Sequence, residues 1–405
     1  MAARSNRILT SHAGSLPRPA ALIELNARRA HGGPGDDADY DQQLKQAVAD
    51  VVTRQRDIGI DLVNDGEYGH SMGTAYDYGA WWSYVFPRLS GLELVEVGIR
   101  DAVQTREPSS DEIVLASFGE RRDWNQFADA YSDPAGGVAL PVTDFMLRSP
   151  VCRGPITYVG HDAVARDIAD MKAAMEATGS TEGFLNSVAP ASCARIGNEF
   201  YDTDDEIIWA CADAMREEYK AIIDAGLVVQ LDDPAIAENW DQIVPEPSVE
   251  AYRRFTKVRI DALNHAIRGL PPERIRFHLC WGSWHGPHVT DIAMADIVEL
   301  MLEVNANAYS FEAANARHEH EWRVWEDVKL PDGKVILPGI VTHSTNVVEH
   351  PELVAERISR FAQAVGPENV IASTDCGLGG RIHEQIAWAK LESLAQGAAL
   401  ASKRL

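Results

Sequence analysis

From about residue 155 onward the chain alternates between short apolar runs and longer stretches with helical spacing of apolar positions. The runs fall at residues 155–159, 183–188, 227–232, 275–280, 307–312, 336–342 and 370–375. Short runs that are apolar on both faces suit strands covered from both sides. Amphipathic patterns lie between most of them, at 204–225, 291–304 and 351–365. The first has acidic residues in its opening turn and Gly226 just past its end, the punctuation of a helix. An earlier strand near residue 61 follows a helix predicted over 40–58 and stopped by Gly59. Eight strand candidates alternating with helices imply parallel pairing. The simplest closed form is one (β/α)8 TIM barrel spanning residues 1–405 as a single domain. A doubly wound open sheet is the alternative. No Gly-x-Gly-x-x-Gly follows a strand, so dinucleotide binding has no local support.

The beat is broken between about residues 76 and 150, where Trp81, Trp82, Tyr84, Phe86, Trp124 and Phe127 lie among charges and prolines. This reads as a long aromatic-rich insertion after the first strand. It packs over a face, buries its aromatics in a core of its own, or joins copies of the chain in a homo-oligomer. A net charge of -24 repels phosphates, which excludes a general role in gripping nucleic acid or an anionic membrane. No apolar run approaches the ~18 residues of a membrane span. The start of the chain has no apolar signal core, and the five cysteines are sparse and odd in number. Both features fit a reducing, cytoplasmic setting.

In such a barrel the chemistry gathers where the strands end. The runs end near Asp65 and Glu67, in Asp232 and Asp233, in His278 and Cys280, in Glu312, in His343, and in Asp375 and Cys376. His278 and Cys280, two apart on a strand, point to one side. Alone, that pair reads first as a core histidine beside an inert buried thiol. With Glu312 and Cys376 arriving from later strands, it becomes a zinc site assembled by an existing scaffold, unlike the local staple of a zinc finger. Two thiolates and a carboxylate around Zn2+ sum to about -1, which suits holding a substrate sulfur as a nucleophilic thiolate better than activating water.

Seven short motifs run the length of the chain in order: Ala13-Gly-Ser15-Leu-Pro, Asp65-Gly-Glu67, Leu231-Asp-Asp-Pro-Ala235, His278-Leu-Cys280, Phe311-Glu312, His343-Ser344 and Asp375-Cys-Gly-Leu378. Together they resemble the C-terminal catalytic barrel of cobalamin-independent methionine synthase. They are also similar to the wider zinc-dependent thiol alkyltransferases, including epoxyalkane:coenzyme M transferases. The resemblance implies zinc on His278, Cys280, Glu312 and Cys376. It implies Ser15, Glu67 and Asp232 around the amino-acid end of a thiol, Glu238 on the pocket wall, and His343 as proton donor to the leaving group. The implied reaction moves a methyl group to the thiolate of homocysteine or a similar thiol. The alternative is alkylation of the thiolate by an epoxide or another non-folate donor. The family's folate-stacking Trp has no match in residues 186–192, so the resemblance leaves the donor open.

Overall fold

The computed structural model describes residues 7–30, 37–72, 74, 78–96, 113–133, 135–138 and 148–405. Its strands in chain order are β1 Leu9–Thr10, β2 Val63–Asn64, β3 Leu92–Glu96, β4 Arg148–Cys152, β5 Gly183–Val188, β6 Gly197–Asn198, β7 Val228–Asp232, β8 Ile275–Leu279, β9 Ala308–Phe311, β10 Val335–Val341 and β11 Ile371–Thr374. Eight of them form one sheet in the order β1-β11-β10-β9-β8-β7-β5-β2, and every pairing recorded within it is parallel. The sheet curls in the manner of a TIM-like barrel. Its two outer strands meet: Asp61 N and Leu62 N both donate to Thr10 O at 3.1 Å. The Asp61 carboxylate in turn accepts from Thr10 N at 2.9 Å.

Strands β5, β7, β8, β9 and β11 are buried at every residue, as expected of parallel strands with helices outside and side chains within. The helix Asp204–Asp224 begins at Thr203, whose side chain accepts from Glu206 N, and has three acidic residues in its first turn. Helices Pro351–Val365 and Glu384–Ser402 pack closely; a Cβ on Gly397 would lie 2.2 Å from Val354. Among the described residues no helix is long and apolar enough to cross a membrane.

Two expectations need correction. The run 155–159 is not a strand of the large sheet; within it Tyr158 makes only an isolated antiparallel bridge to Leu89. Pro155 removes a ladder donor there. Its place is taken by β1, whose two residues are too short for any periodicity to show. The irregular stretch therefore follows the second strand of the sheet, not the first. Parts of 76–150, including 97–112 and 139–147, lie outside the described residues. The described parts include β3, which pairs antiparallel with β4, and β4 pairs parallel with β6.

Candidate metal centre and substrate cavity

Register sets the site. Asp232 on β7 stands level with His278 on β8, and His278 with Ser310 on β9. Cys280 lies just past the end of β8, and Cys376 two residues past the end of β11. The curl of the sheet brings His278, Cys280 and Cys376 together, each offering a ligand atom within 4.8 Å of the others. His278 Nδ1 is 3.0 Å from Ser310 Oγ, which fixes the ring. Its Nε2 is buried and has no hydrogen-bond partner. The Cys376 thiol is pulled well below its ordinary range, chiefly by a hydrogen bond from Cys280 and, against burial, by His278. Cys280 is pushed well above it, by the same bond and by burial. The pair thus behaves as a thiolate with a thiol donating to it. An orphaned imidazole nitrogen beside two sulfurs is a donor set that fits zinc.

Glu312 is not in that trio. It lies with His343 and Asp375 in an adjacent group, again within 4.8 Å of one another. Both its oxygens are engaged: Trp281 N donates at 2.8 Å and Asn315 Nδ2 at 2.7 Å. The carboxylate is thereby tied to the chain as it leaves β8. Burial, then Asp375, raises Glu312 to about 8. Asp375 accepts from Ala313 N and Ala314 N, both at 2.7 Å, and so holds the turn after Glu312. Only a glycine fits opposite, since a Cβ on Gly339 would be 2.0 Å from the Asp375 carboxylate. His343 is buried with Nδ1 unpartnered, and burial holds its pKa down to about 3.

A small cleft, about 40 Å³ in volume, opens beside the trio, lined by Ser15, Glu67, Asp232, His278, Cys280 and Cys376 among others. Neither Glu312, His343 nor Glu238 lines it. Glu67 has a left-handed backbone, φ 57°, which is uncommon for a side chain of this kind. Its Oε2 is buried without a hydrogen bond, 3.7 Å from His70 Nδ1. Asp232 is gripped by two amides, Asn186 at 2.8 Å and Gln230 at 2.7 Å. Burial raises it to about 7, Glu67 adding to the rise and His278 opposing it. Asn186 and Gln230 also donate to Ala13 O, which seats the Ser15 turn against the strands. Gly14, φ 122°, makes that approach feasible, because a Cβ there would be 2.3 Å from the Asn186 amide. These two amides were missed in the sequence. Their signal is an amide side chain inside each of two fully buried strands, where a polar group is tolerated only when hydrogen-bonded.

Glu238 has another occupation. Its carboxylate is buried between Arg121 and Arg195, with Arg195 Nη1 at 2.6 Å. Burial raises its pKa, but the two guanidinium groups outweigh it and lower it to about 2. It sits behind Gly282, φ 100°, in the turn just after Cys280. Arg121 belongs to the aromatic stretch, which buttresses that turn further on. Asp123 accepts from Val289 N at 3.1 Å and from Tyr131 OH at 2.8 Å, and Trp284 Nε1 donates to Tyr131 OH at 2.7 Å.

Residues 149–399 match the family model of the cobalamin-independent synthase catalytic domain. Methionine synthase of Thermococcus kodakarensis is 22% identical over 399 residues, covering 98% of this chain and 94% of that protein. The 2-hydroxypropyl-CoM lyase of Xanthobacter autotrophicus is 21% identical over 420 residues, covering 96% of this chain and 94% of the lyase. The structure of a B12-independent methionine synthase from Shewanella sp. W3-18-1 in complex with selenomethionine superposes with a TM-score of 0.68 at 19% identity, covering 98% of each chain, and shows the same fold. The chain belongs to the family of cobalamin-independent synthase catalytic domains.

Proposed function

We propose that the protein is a zinc-dependent S-methyltransferase whose acceptor is homocysteine or a similar amino thiol. One observation carries this reading: an unpartnered, buried His278 nitrogen and two cysteine sulfurs open onto a cleft that also holds two buried carboxylates. His278, Cys280 and Cys376 would hold the metal, with Glu312 as the fourth donor on the strength of the family resemblance. When bound, zinc supplies the charge that keeps a substrate sulfur ionised at neutral pH, and its thiolate ligands keep that sulfur electron-rich. Glu67 and Asp232 suit the ammonium group of the substrate, and the Ser15 N–H in the Gly14–Ser15 turn suits its carboxylate, the Gly14 N–H being given to His12 Nδ1 at 3.2 Å. Glu67 Oε2 in particular is a buried acceptor still without a donor. His343 is the proposed proton donor to the leaving group; that role calls on its imidazolium form, which burial disfavours. The chain acts as one closed (β/α)8 catalytic unit with Ala80 and Trp81 of the irregular stretch in its wall, in a cytoplasmic setting that keeps its five cysteines free.

Similarity to a CoM lyase supports a second reading, in which the thiolate is alkylated by an epoxide. Glu67 and Asp232 disfavour it, because carboxylates repel the sulfonate of coenzyme M. The test is metal analysis followed by product analysis. Purified protein is expected to carry about one zinc per chain, lost in Cys376→Ser together with thiol binding. Zinc-loaded enzyme is then offered homocysteine or coenzyme M with a panel of methyl donors and epoxides, and thioethers are sought by mass spectrometry. Absence of zinc sinks both readings, and a product from coenzyme M alone selects the second.

A further inference from the structure

The amino-acid end of the cleft is made by two loops, one after β1 carrying Ser15 and one after β2 carrying Glu67. Three ties join them. Leu16 N donates to Gly66 O at 3.1 Å, and Tyr68 OH donates to Pro17 O at 2.7 Å. The third is Arg18, 5% exposed, which does not line the cleft. Its Nη1 lies 3.3 Å from Ser15 Oγ, its Nη2 donates to Glu67 O at 2.5 Å and His70 O at 3.0 Å, and its Nε reaches His70 O at 3.2 Å. One planar fork thus engages the Ser15 side chain and two carbonyls of the Glu67 loop. A lysine offers donors from a single point and cannot span them.

The carbonyl that Arg18 holds belongs to the one residue of this loop with a strained backbone. A left-handed non-glycine persists only where its surroundings over-determine it. Here that conformation leaves Glu67 Oε2 buried beside the cleft without a protein donor. We propose that Arg18, seconded by Tyr68, is a positioning residue for substrate selection: it locks the Ser15 and Glu67 loops together and fixes the Glu67 carboxylate where an ammonium group is received. This rests on the amino-thiol reading given above, and adds to it how the selecting carboxylate is held.

The experiment compares homocysteine with its des-amino counterpart, 4-mercaptobutanoate, by calorimetric titration of the zinc-loaded protein. Wild type prefers homocysteine. Arg18→Lys and Arg18→Gln keep zinc and keep their affinity for 4-mercaptobutanoate, but each loses about tenfold of that preference, the worth of one well-placed hydrogen bond to a charged group. Tyr68→Phe, which removes one hydroxyl from a well-packed ring, loses about threefold and answers the question should neither Arg18 variant fold. A variant that weakens both thiols by one factor has a merely structural residue and overturns the proposal, as does a preference that survives in all three. A wild type with no preference for homocysteine overturns the amino-thiol reading itself.

Discussion

Asn186 and Gln230 show how the cleft is built one residue at a time. Each spends one amide on the Ala13 carbonyl and on Asp232, so the Ser15 turn and the Asp232 carboxylate are set by the same groups. Ser310 does the same for the metal trio, through His278 Nδ1. Partners of this kind orient a ligand and tune its basicity. Ser310→Ala is therefore expected to weaken zinc binding by about 10- to 100-fold, read by competition against a chelator, with little change in fold. An unchanged affinity would show that the ring is held by packing alone. The residues that converge here were legible in sequence because strand ends in a barrel share one face, so His278, Cys280 and Cys376 could be grouped without a contact being known. Glu238 was misplaced because its partner Arg121 lies 117 residues away in an irregular stretch. Arg18 was invisible for a similar reason: its role depends on two loops meeting, which no periodicity records.

At the scale of elements, the turn after β8 is the most constrained piece near the site. Gly282 is left-handed, and a Cβ on it would lie 2.2 Å from the Trp284 ring and 3.1 Å from the Glu238 carboxyl carbon. Gly282→Ala should cost ~1–3 kcal/mol through backbone strain alone, and displace Cys280 from the trio. A lowered unfolding midpoint together with weaker zinc retention is the expected result; loss of stability with full zinc retention would uncouple the turn from the trio. Strands β5 to β11 of the large sheet were readable as apolar runs because both their faces are buried. β1 was not, since two residues carry no pattern, and its place in the sheet depends on β11 and on the Asp61 side chain. The run at 155–159 had the right composition, but its backbone bonds go to residues 88–90 of the irregular stretch, with Ser90 N donating to Thr157 O at 2.9 Å and Val159 N to Arg88 O at 2.8 Å.

The whole molecule adds a dependence on pH. His318 is buried, with Nδ1 2.8 Å from Glu321 and Nε2 3.0 Å from Asp291. Two carboxylate acceptors require both nitrogens to donate, so the ring is an imidazolium. Burial lowers its pKa, but Asp291 and Glu321 outweigh it and raise it to about 10 from 6.5. A folded value above the unfolded one gives stability that is complete below about 6.5 and is lost as pH rises towards about 10. Urea midpoints should fall across that interval in wild type, and the fall should flatten in His318→Gln. An equal slope in both would assign the dependence to other groups.

The way the sheet's edges meet has a consequence in time. Ala13 N donates to Thr374 Oγ1 across 361 residues, and Ser15 O accepts from Leu378 N at 2.9 Å and Gly379 N at 3.0 Å. The Ser15 loop and the one bearing Cys376 are therefore neighbours in space and remote along the polymer. Closing so long a span is entropically costly and comes late in folding. During synthesis the ribosome releases the first partner long before the last, so for most of its emergence the nascent chain has no cleft at all. The cleft beside Cys280 and Cys376 is completed only when the polypeptide is nearly finished, an order imposed by topology alone.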